Sequence, residues 1–347
     1  MAGETIQLDH GARGGASGEA IAELIASRLG VAAGPGAVGG VRARWPGGGG
    51  RLELEAGEIA LAGGAFAVDP IFFDGGDIGA LAVCGTVNEL AACGALARYL
   101  TLSLTIEQGL PVADLARVLD SVRAAAEAAD VEVVAGDTRV VRRGEADKLF
   151  VHTAGVGEFA QRVELSAERL RPGDAVIATG ALGAHGLQIL ARREGLACAG
   201  EQPSDCAPLG GLVWNLLEDY APQVRCMREL LRGGLANVLS ELADGAGVSI
   251  ELDAHRLPVG REARAVAARL GVDPLYLPSA GSICIVVDGA AAAAVLELVR
   301  WQPQGRDARL VGTVRERGPG AVTMAAPDGG EAQALARFAD MELTRLR

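Results

Sequence analysis

Residues 67–141 read AVDPIFFDGGDIGALAVCGTVNELAACGALARYLTLSLTIEQGLPVADLARVLDSVRAAAEAADVEVVAGDTRVV, and the pattern of this stretch decides the fold class. It opens on a glycine-punctuated loop through Gly75, Gly76 and Gly79. Over residues 78–96 apolar side chains occur nearly all round, as in a helix packed between a sheet and a second surface. Pro111 opens a clearer helix, because Leu115, Val118, Leu119 and Val122 fall at i, i+3, i+4 and i+7. Residues 131–134 read as a short buried strand. Val140-Val141, the polar RRGEADK and residues 149–152 then read as a hairpin. Elements alternating over short connections predict an α/β (α+β) protein with mixed sheets covered by helices.

Upstream, residues 30–50 are glycine-rich with Pro35 and Pro46, and read as a loop. Residues 51–69 show strand-like alternation through Leu52, Leu54, Ile59 and Leu61. Downstream, residues 161–172 become charged and end in Arg171-Pro172-Gly173-Asp174, a turn that opens a new strand over 175–179. Two domains follow from this, 1–165 and 166–347. In the second, helical patterns near 187–193, 235–242 and 261–270 alternate with strands at 248–252, 283–287, 310–314 and 322–324.

The 347 residues exceed a usual single core of about 250, which fits two domains. Half are hydrophobic and only 3% aromatic, with 49 glycines. A net charge of −12 argues against a nucleic-acid partner, whose phosphates demand clustered Lys and Arg. The apolar run over 81–104 is interrupted by Asn88, Glu89 and Arg98, so no membrane span is expected. The start, MAGETIQLDHG, lacks the basic and apolar regions of a signal peptide, and a cytoplasmic protein is expected. The six cysteines contain no C-x-x-C pair and read as reduced thiols, mostly buried.

Residues 67–141 resemble the HypE hydrogenase-maturation family almost residue for residue. The similarity continues through RPGDAVIATGALGAHGLQILARREGL, LRGGLANVLSELADGAGVSI and LGVDPLYL. It implies the two-domain fold of the aminoimidazole-ribonucleotide-synthetase and selenophosphate-synthetase superfamily. The N-terminal domain, 1–165, would bind ATP and dimerise through its sheet; the C-terminal α/β domain is 166–347. It also implies a homodimer, with ATP and Mg2+ at its interface. The family's reaction turns a carbamoyl group on its own C-terminal cysteine into a thiocyanate, whose nitrile becomes a cyanide ligand of nickel–iron hydrogenase. Other maturation proteins, a carbamoyltransferase or HypE proper, are the implied partners.

Carried over residue by residue, the resemblance gives a nucleotide set of Asp77, Asn88, Gly136, Asp137 and Thr138, and metal carboxylates Asp77, Glu89, Asp137 and Glu229. Arg139 and His10 stand as catalytic candidates. Without the resemblance, Asp137-Thr138 would read as a turn cap, and His10, in a segment with an extra residue at Arg13, reads equally as functional or incidental. His185 reads as stabilising a turn, and His152 and His255 as structural.

The chain departs from the family at several of these places. Glu89 and Glu229 replace aspartates, and an expected aspartate is Gly64. Arg139 stands for a lysine and Ala280 for a glutamate, so the family's proton-transfer pair is missing. The final residues read Leu343-Thr344-Arg345-Leu346-Arg347, with arginine at the family's cysteine. Arginine has no lone pair to accept a carbamoyl group. Two readings result: ATP-dependent dehydration of a carbamoyl, thiocarboxamide or amide group on an external substrate, or a catalytically silent paralogue that binds maturation proteins. The ordinary maturase reaction on its own tail fits these residues least.

Overall fold

The computed structural model describes residues 5–11, 16–29, 58–159, 161, 163–196, 203–317, 320–325 and 333–335. It divides into two compact units, Met1–Phe72, Gly76–Leu90 and Leu96–Phe159 in the first and Phe73–Gly75, Ala91–Ala95 and Ala160–Arg347 in the second. The loop expected over 30–50 lies outside the described residues.

The first unit is built on α1 (Ala16–Leu29), β1 (Ile59–Phe66), the two-residue strands β2 (Phe72–Phe73) and β3 (Gly76–Asp77), and α2 (Ile78–Ala92). After these come β4 (Leu96–Glu107), α3 (Val112–Ala128), β5 (Glu132–Val141) and β6 (Leu149–Glu158). Pro111 is the N-cap of α3, and Leu115, Val118, Leu119 and Val122 are buried as their spacing predicts. The four-stranded sheet runs β1-β6-β4-β5. β5 is parallel to β4, and β6 is antiparallel to both β4 and β1. Leu100, Leu102, Leu104 and Ile106 of β4 share one core with Ala82, Val83 and Val87 of α2 and the apolar stripe of α3. Helices cover that face. On the other face β1 alternates outward, leaving Ile59 45% and Leu61 73% exposed.

Two expectations for this unit are corrected. The helix expected over 78–96 ends at Ala92, and Leu96 already begins β4. The hairpin expected over 140–152 does not form, because β4 lies between β5 and β6. Glu107, at the end of β4, shows why the intervening turn is polar: its carboxylate accepts the Gly144 amide at 2.6 Å and the Lys148 amide at 3.1 Å, wrapping the connection round the strand end. These bonds hold the Glu107 carboxyl below its ordinary pKa.

The second unit begins with β7 (Ala175–Ala178), α4 (Ala184–Arg193), α5 (Gly210–Tyr220), β8 (Val224–Glu229), α6 (Gly234–Ala246) and β9 (Val248–Asp253). It continues with α7 (Arg261–Leu270), β10 (Ile283–Val287), α8 (Ala292–Trp301), β11 (Arg309–Arg317), β12 (Val322–Ala325) and β13 (Gln333–Ala334). Its mixed sheet runs β13-β12-β9-β11-β7-β10-β8. β7 and β10 are buried throughout and send alternate residues into two cores. Val176, Ala178, Cys284 and Val286 pack with α6, whereas Ala175, Ile177, Ile285 and Val287 pack with α5 and α8. Period-two alternation thus serves both faces.

Among the described residues no helix is long and apolar enough to cross a membrane. None of the described cysteines forms a disulfide: Cys84, Cys226 and Cys284 are buried, Cys206 is half-buried and Cys93 is exposed.

Candidate functional site

The glycine turn of 74–77 ends in Asp77, only 5% exposed, whose Oδ1 accepts the amides of Gly79 at 2.8 Å and Ala80 at 3.1 Å. This caps the first turn of α2, satisfying donors that a helix start leaves open. Burial raises the Asp77 pKa, and the amides, Ser121 and Arg117 partly oppose it. Gly75, at φ +91°, takes a conformation costly for other residues, and a Cβ there would lie 2.3 Å from the Ser204 carbonyl. Farther along α2, Asn88 is 2% exposed and Glu89 is half-buried.

On β5 the sequence Gly136-Asp137-Thr138-Arg139 runs beside β4, with Asp137 opposite Ser103, Thr138 opposite Leu104 and Arg139 opposite Thr105. A Cβ at Gly136 would sit 1.9 Å from the Leu102 carbonyl oxygen, so only glycine allows this approach. Across the sheet, Ser103 also faces His152 of β6, and His152 faces Ala65 of β1. Residues directly opposite share a face, so Asp137, Ser103, His152 and Ala65 form one row on the face without helices. Arg139, Thr105 and Phe150 form the next row. Asp137, Arg139 and His152 are exposed there. Sequence reasoning had read His152 as structural and passed over Ser103; the alternation of LTLSLTI was the available signal.

The other predicted residues lie on separate elements. His10 sits in a short 3-10 turn, where Nδ1 accepts the Gln7 amide at 3.1 Å, leaving Nε2 to carry the proton of the neutral ring. Glu229 ends β8 opposite Ile283. At Gly64 a Cβ would fall 2.2 Å from the Phe66 ring, so an aromatic ring fills the space beside this glycine. Arg347 lies outside the described residues. Among the described residues, no group of three or more His, Cys, Asp or Glu could hold a metal. Asp77, Glu89, Asp137 and Glu229 therefore do not by themselves make a metal cage.

In the second unit Asp205 was not foreseen. Its carboxylate accepts the amides of Ala280 at 2.9 Å and Gly281 at 3.1 Å and the Ser282 hydroxyl at 3.1 Å. Burial raises its pKa against these donors. Ala280, at the position where the resemblance implies a glutamate, is 4% exposed. Nearby in sequence, His185 Nδ1 meets the Ser204 hydroxyl. Asp74 receives Gln188 at 3.1 Å and Arg192 at 2.9 Å.

The AIR synthase related protein N-terminal domain matches residues 51–159, and the corresponding C-terminal domain matches 171–325. Carbamoyl dehydratase HypE of Azotobacter vinelandii is 40% identical over 329 residues, covering 94% of this chain and 93% of the relative. The chain belongs to the HypE family of the AIR synthase superfamily. A crystal structure of HypE in complex with ATP superposes with a TM-score of 0.89 at 36% identity, covering 99% of this chain and 100% of that one. A chain of a crystallised HypE–HypF complex gives a TM-score of 0.78 at 36% identity, covering 82% of this chain and 92% of that one. The HypE resemblance read from residues 67–141 is thus borne out along nearly the whole chain.

Proposed function

We propose that this HypE-family chain dehydrates a carbamoyl-type group to a nitrile at the expense of ATP, acting on a group carried by another molecule. The supporting observation is 40% identity to a carbamoyl dehydratase over 94% of the chain. In the proposed reaction ATP phosphorylates the amide oxygen. Loss of that oxygen as phosphate, with both amide protons, leaves the C≡N triple bond, and ADP is the second product. Arg347 stands where the family's tail has cysteine and offers no thiolate, which is why the group is assigned to a separate carrier.

The residue roles belong to this proposal. Asp77 and Asp137 are read as the carboxylates that meet Mg2+, with Glu89 and Glu229 as further oxygen donors. Among the described residues no group of three or more such ligands comes together, so the ion would arrive on the ATP phosphates, whose charge it neutralises. Gly136, Thr138 and Asn88 complete the nucleotide set. Arg139, exposed on the open face, suits a phosphate through its planar donors, and His10 can donate a hydrogen bond from Nε2. The exposed Ile59 and Leu61 suit a second copy of the sheet, giving a homodimer. A cytoplasmic setting and a maturation protein as partner complete the reading.

A silent, partner-binding paralogue is the second reading, favoured by one observation: Ala280 is buried and no lysine follows Thr138, so the family's proton-transfer pair is absent. The deciding experiment incubates the protein with ATP, Mg2+ and a peptide bearing S-carbamoyl cysteine. Phosphate release with loss of one water from the peptide supports the enzyme. ATP binding without either product, or no ATP binding, supports the silent form.

A further inference from the structure

The second unit contains a cavity of about 590 Å3 whose lining includes Leu257, Leu296, Leu310, Arg300, Arg309 and Asp307. Leu257 is buried and the other two leucines are half-buried, whereas the charged residues are exposed. The chain as a whole has 44 acidic residues against 32 Lys and Arg, yet this lining, which also includes Arg256, has three arginines to one acid. The charge balance is locally reversed.

Two of the arginines are available to a ligand. Arg300 donates Nε to the Ala308 carbonyl at 2.9 Å, which fixes the plane of its guanidinium and leaves both Nη groups. Neither Arg300 nor Arg309 makes an ion pair with a described residue, whereas Arg256 is paired with Asp253 at 3.0 Å. A guanidinium held in advance loses little entropy on binding and matches phosphate or carboxylate oxygens with parallel donors. Small-molecule sites have volumes of about 300–1,000 Å3, mostly apolar walls and a few placed polar groups.

We propose that this cavity binds a small phosphate monoester, its dianion meeting Arg300 and Arg309 and its organic part resting on Leu257, Leu296 and Leu310. Two unpaired cations match a dianion better than a single carboxylate. The cavity lies wholly within the second unit, and the inference does not rest on the proposed dehydration.

The test titrates the full chain with phenyl phosphate by calorimetry, with a non-hydrolysable ATP analogue and Mg2+ present to fill any nucleotide site. Saturable one-to-one binding is expected. Arg300→Ala and Arg309→Ala should each weaken it by roughly tenfold or more, as loss of a charged hydrogen-bonding partner does. Lysine at either position should restore only part, because it keeps the charge and loses the fork. Asp307→Asn should tighten binding, an effect that a merely damaged fold cannot produce. Absence of saturable binding, affinity in both alanine variants equal to that of the unsubstituted protein, or benzoate binding as tightly as phenyl phosphate would each overturn the proposal.

Discussion

His185 Nδ1 lies 2.9 Å from the Ser204 hydroxyl oxygen, and the buried imidazole meets the Phe73 ring edge-on at a centroid distance of 5.2 Å. Burial lowers the His185 pKa from 6.5 to about 4, so the folded protein holds the ring neutral. The unfolded chain takes up a proton near pH 6.5. Stability from this residue is therefore full above that pH and declines as pH falls from 6.5 towards 4.

The first prediction is a loss of about 2 kcal/mol at pH 5 relative to pH 8 from His185 alone. Melting curves across that range should show a steep acid-side fall, and His185→Gln should flatten it. An identical pH profile in the variant would remove His185 as the cause.

ATP with Mg2+ should raise the melting temperature of the intact protein. At about 100 times the dissociation constant, binding adds roughly 2.7 kcal/mol. Asp137→Ala should abolish the shift while leaving the ligand-free melting point within a degree or two, since Asp137 is exposed. Retention of the full shift would exclude Asp137 from the nucleotide set.

Gly136→Ala should be far more damaging than its size suggests, because the added Cβ meets the Leu102 carbonyl at 1.9 Å. Parting β4 from β5 should cost about 3 kcal/mol or more, read in urea unfolding. A loss below about 1 kcal/mol would show that the strands adjust freely.

Asp205→Ala should leave the Ala280 and Gly281 amides without their acceptor. The expected loss is about 3 kcal/mol, the scale of charged hydrogen bonds inside a protein. Hydrogen exchange should report faster opening at 280–282; unchanged protection there would mean that Asp205 does not anchor the turn.

Leu61→Asp tests the homodimer. Leu61 is 73% exposed, so the folded protomer should tolerate the charge, while sedimentation at micromolar concentration should shift from dimer to monomer. A wild-type protein that already sediments as a monomer would refute the assembly.

Helices with a stripe, and strands buried throughout, are legible in the sequence itself. α3 and the strand at 283–287 fall where their apolar spacing puts them, and α7 spans the expected 261–270. β4 was missed although LARYLTLSLTIE alternates strictly over most of its length, and only its first residue, Leu96, had been read as the end of the preceding helix. Strand order was not legible at all: adjacency of 140–141 and 149–152 suggested pairing, and nothing local reports that β4 comes between. α5 and α8 were passed over, and the Asp205 anchor could not be seen because its partners lie about 75 residues away in sequence and are mostly backbone amides. The candidate row Asp137–Ser103–His152 needed register, which only the assembled sheet supplies.

The order β1-β6-β4-β5 also governs how this sheet can be made on a ribosome. β1 pairs only with β6, the last of the four strands to be synthesised. At ordinary elongation rates β1 emerges on the order of 10 s before its partner. Throughout that interval Ile59 and Leu61 lie on an unpaired strand, open to a neighbouring nascent chain. The glycines at 63 and 64 give this waiting strand little β-propensity of its own, which slows premature pairing until Glu158 has left the exit tunnel.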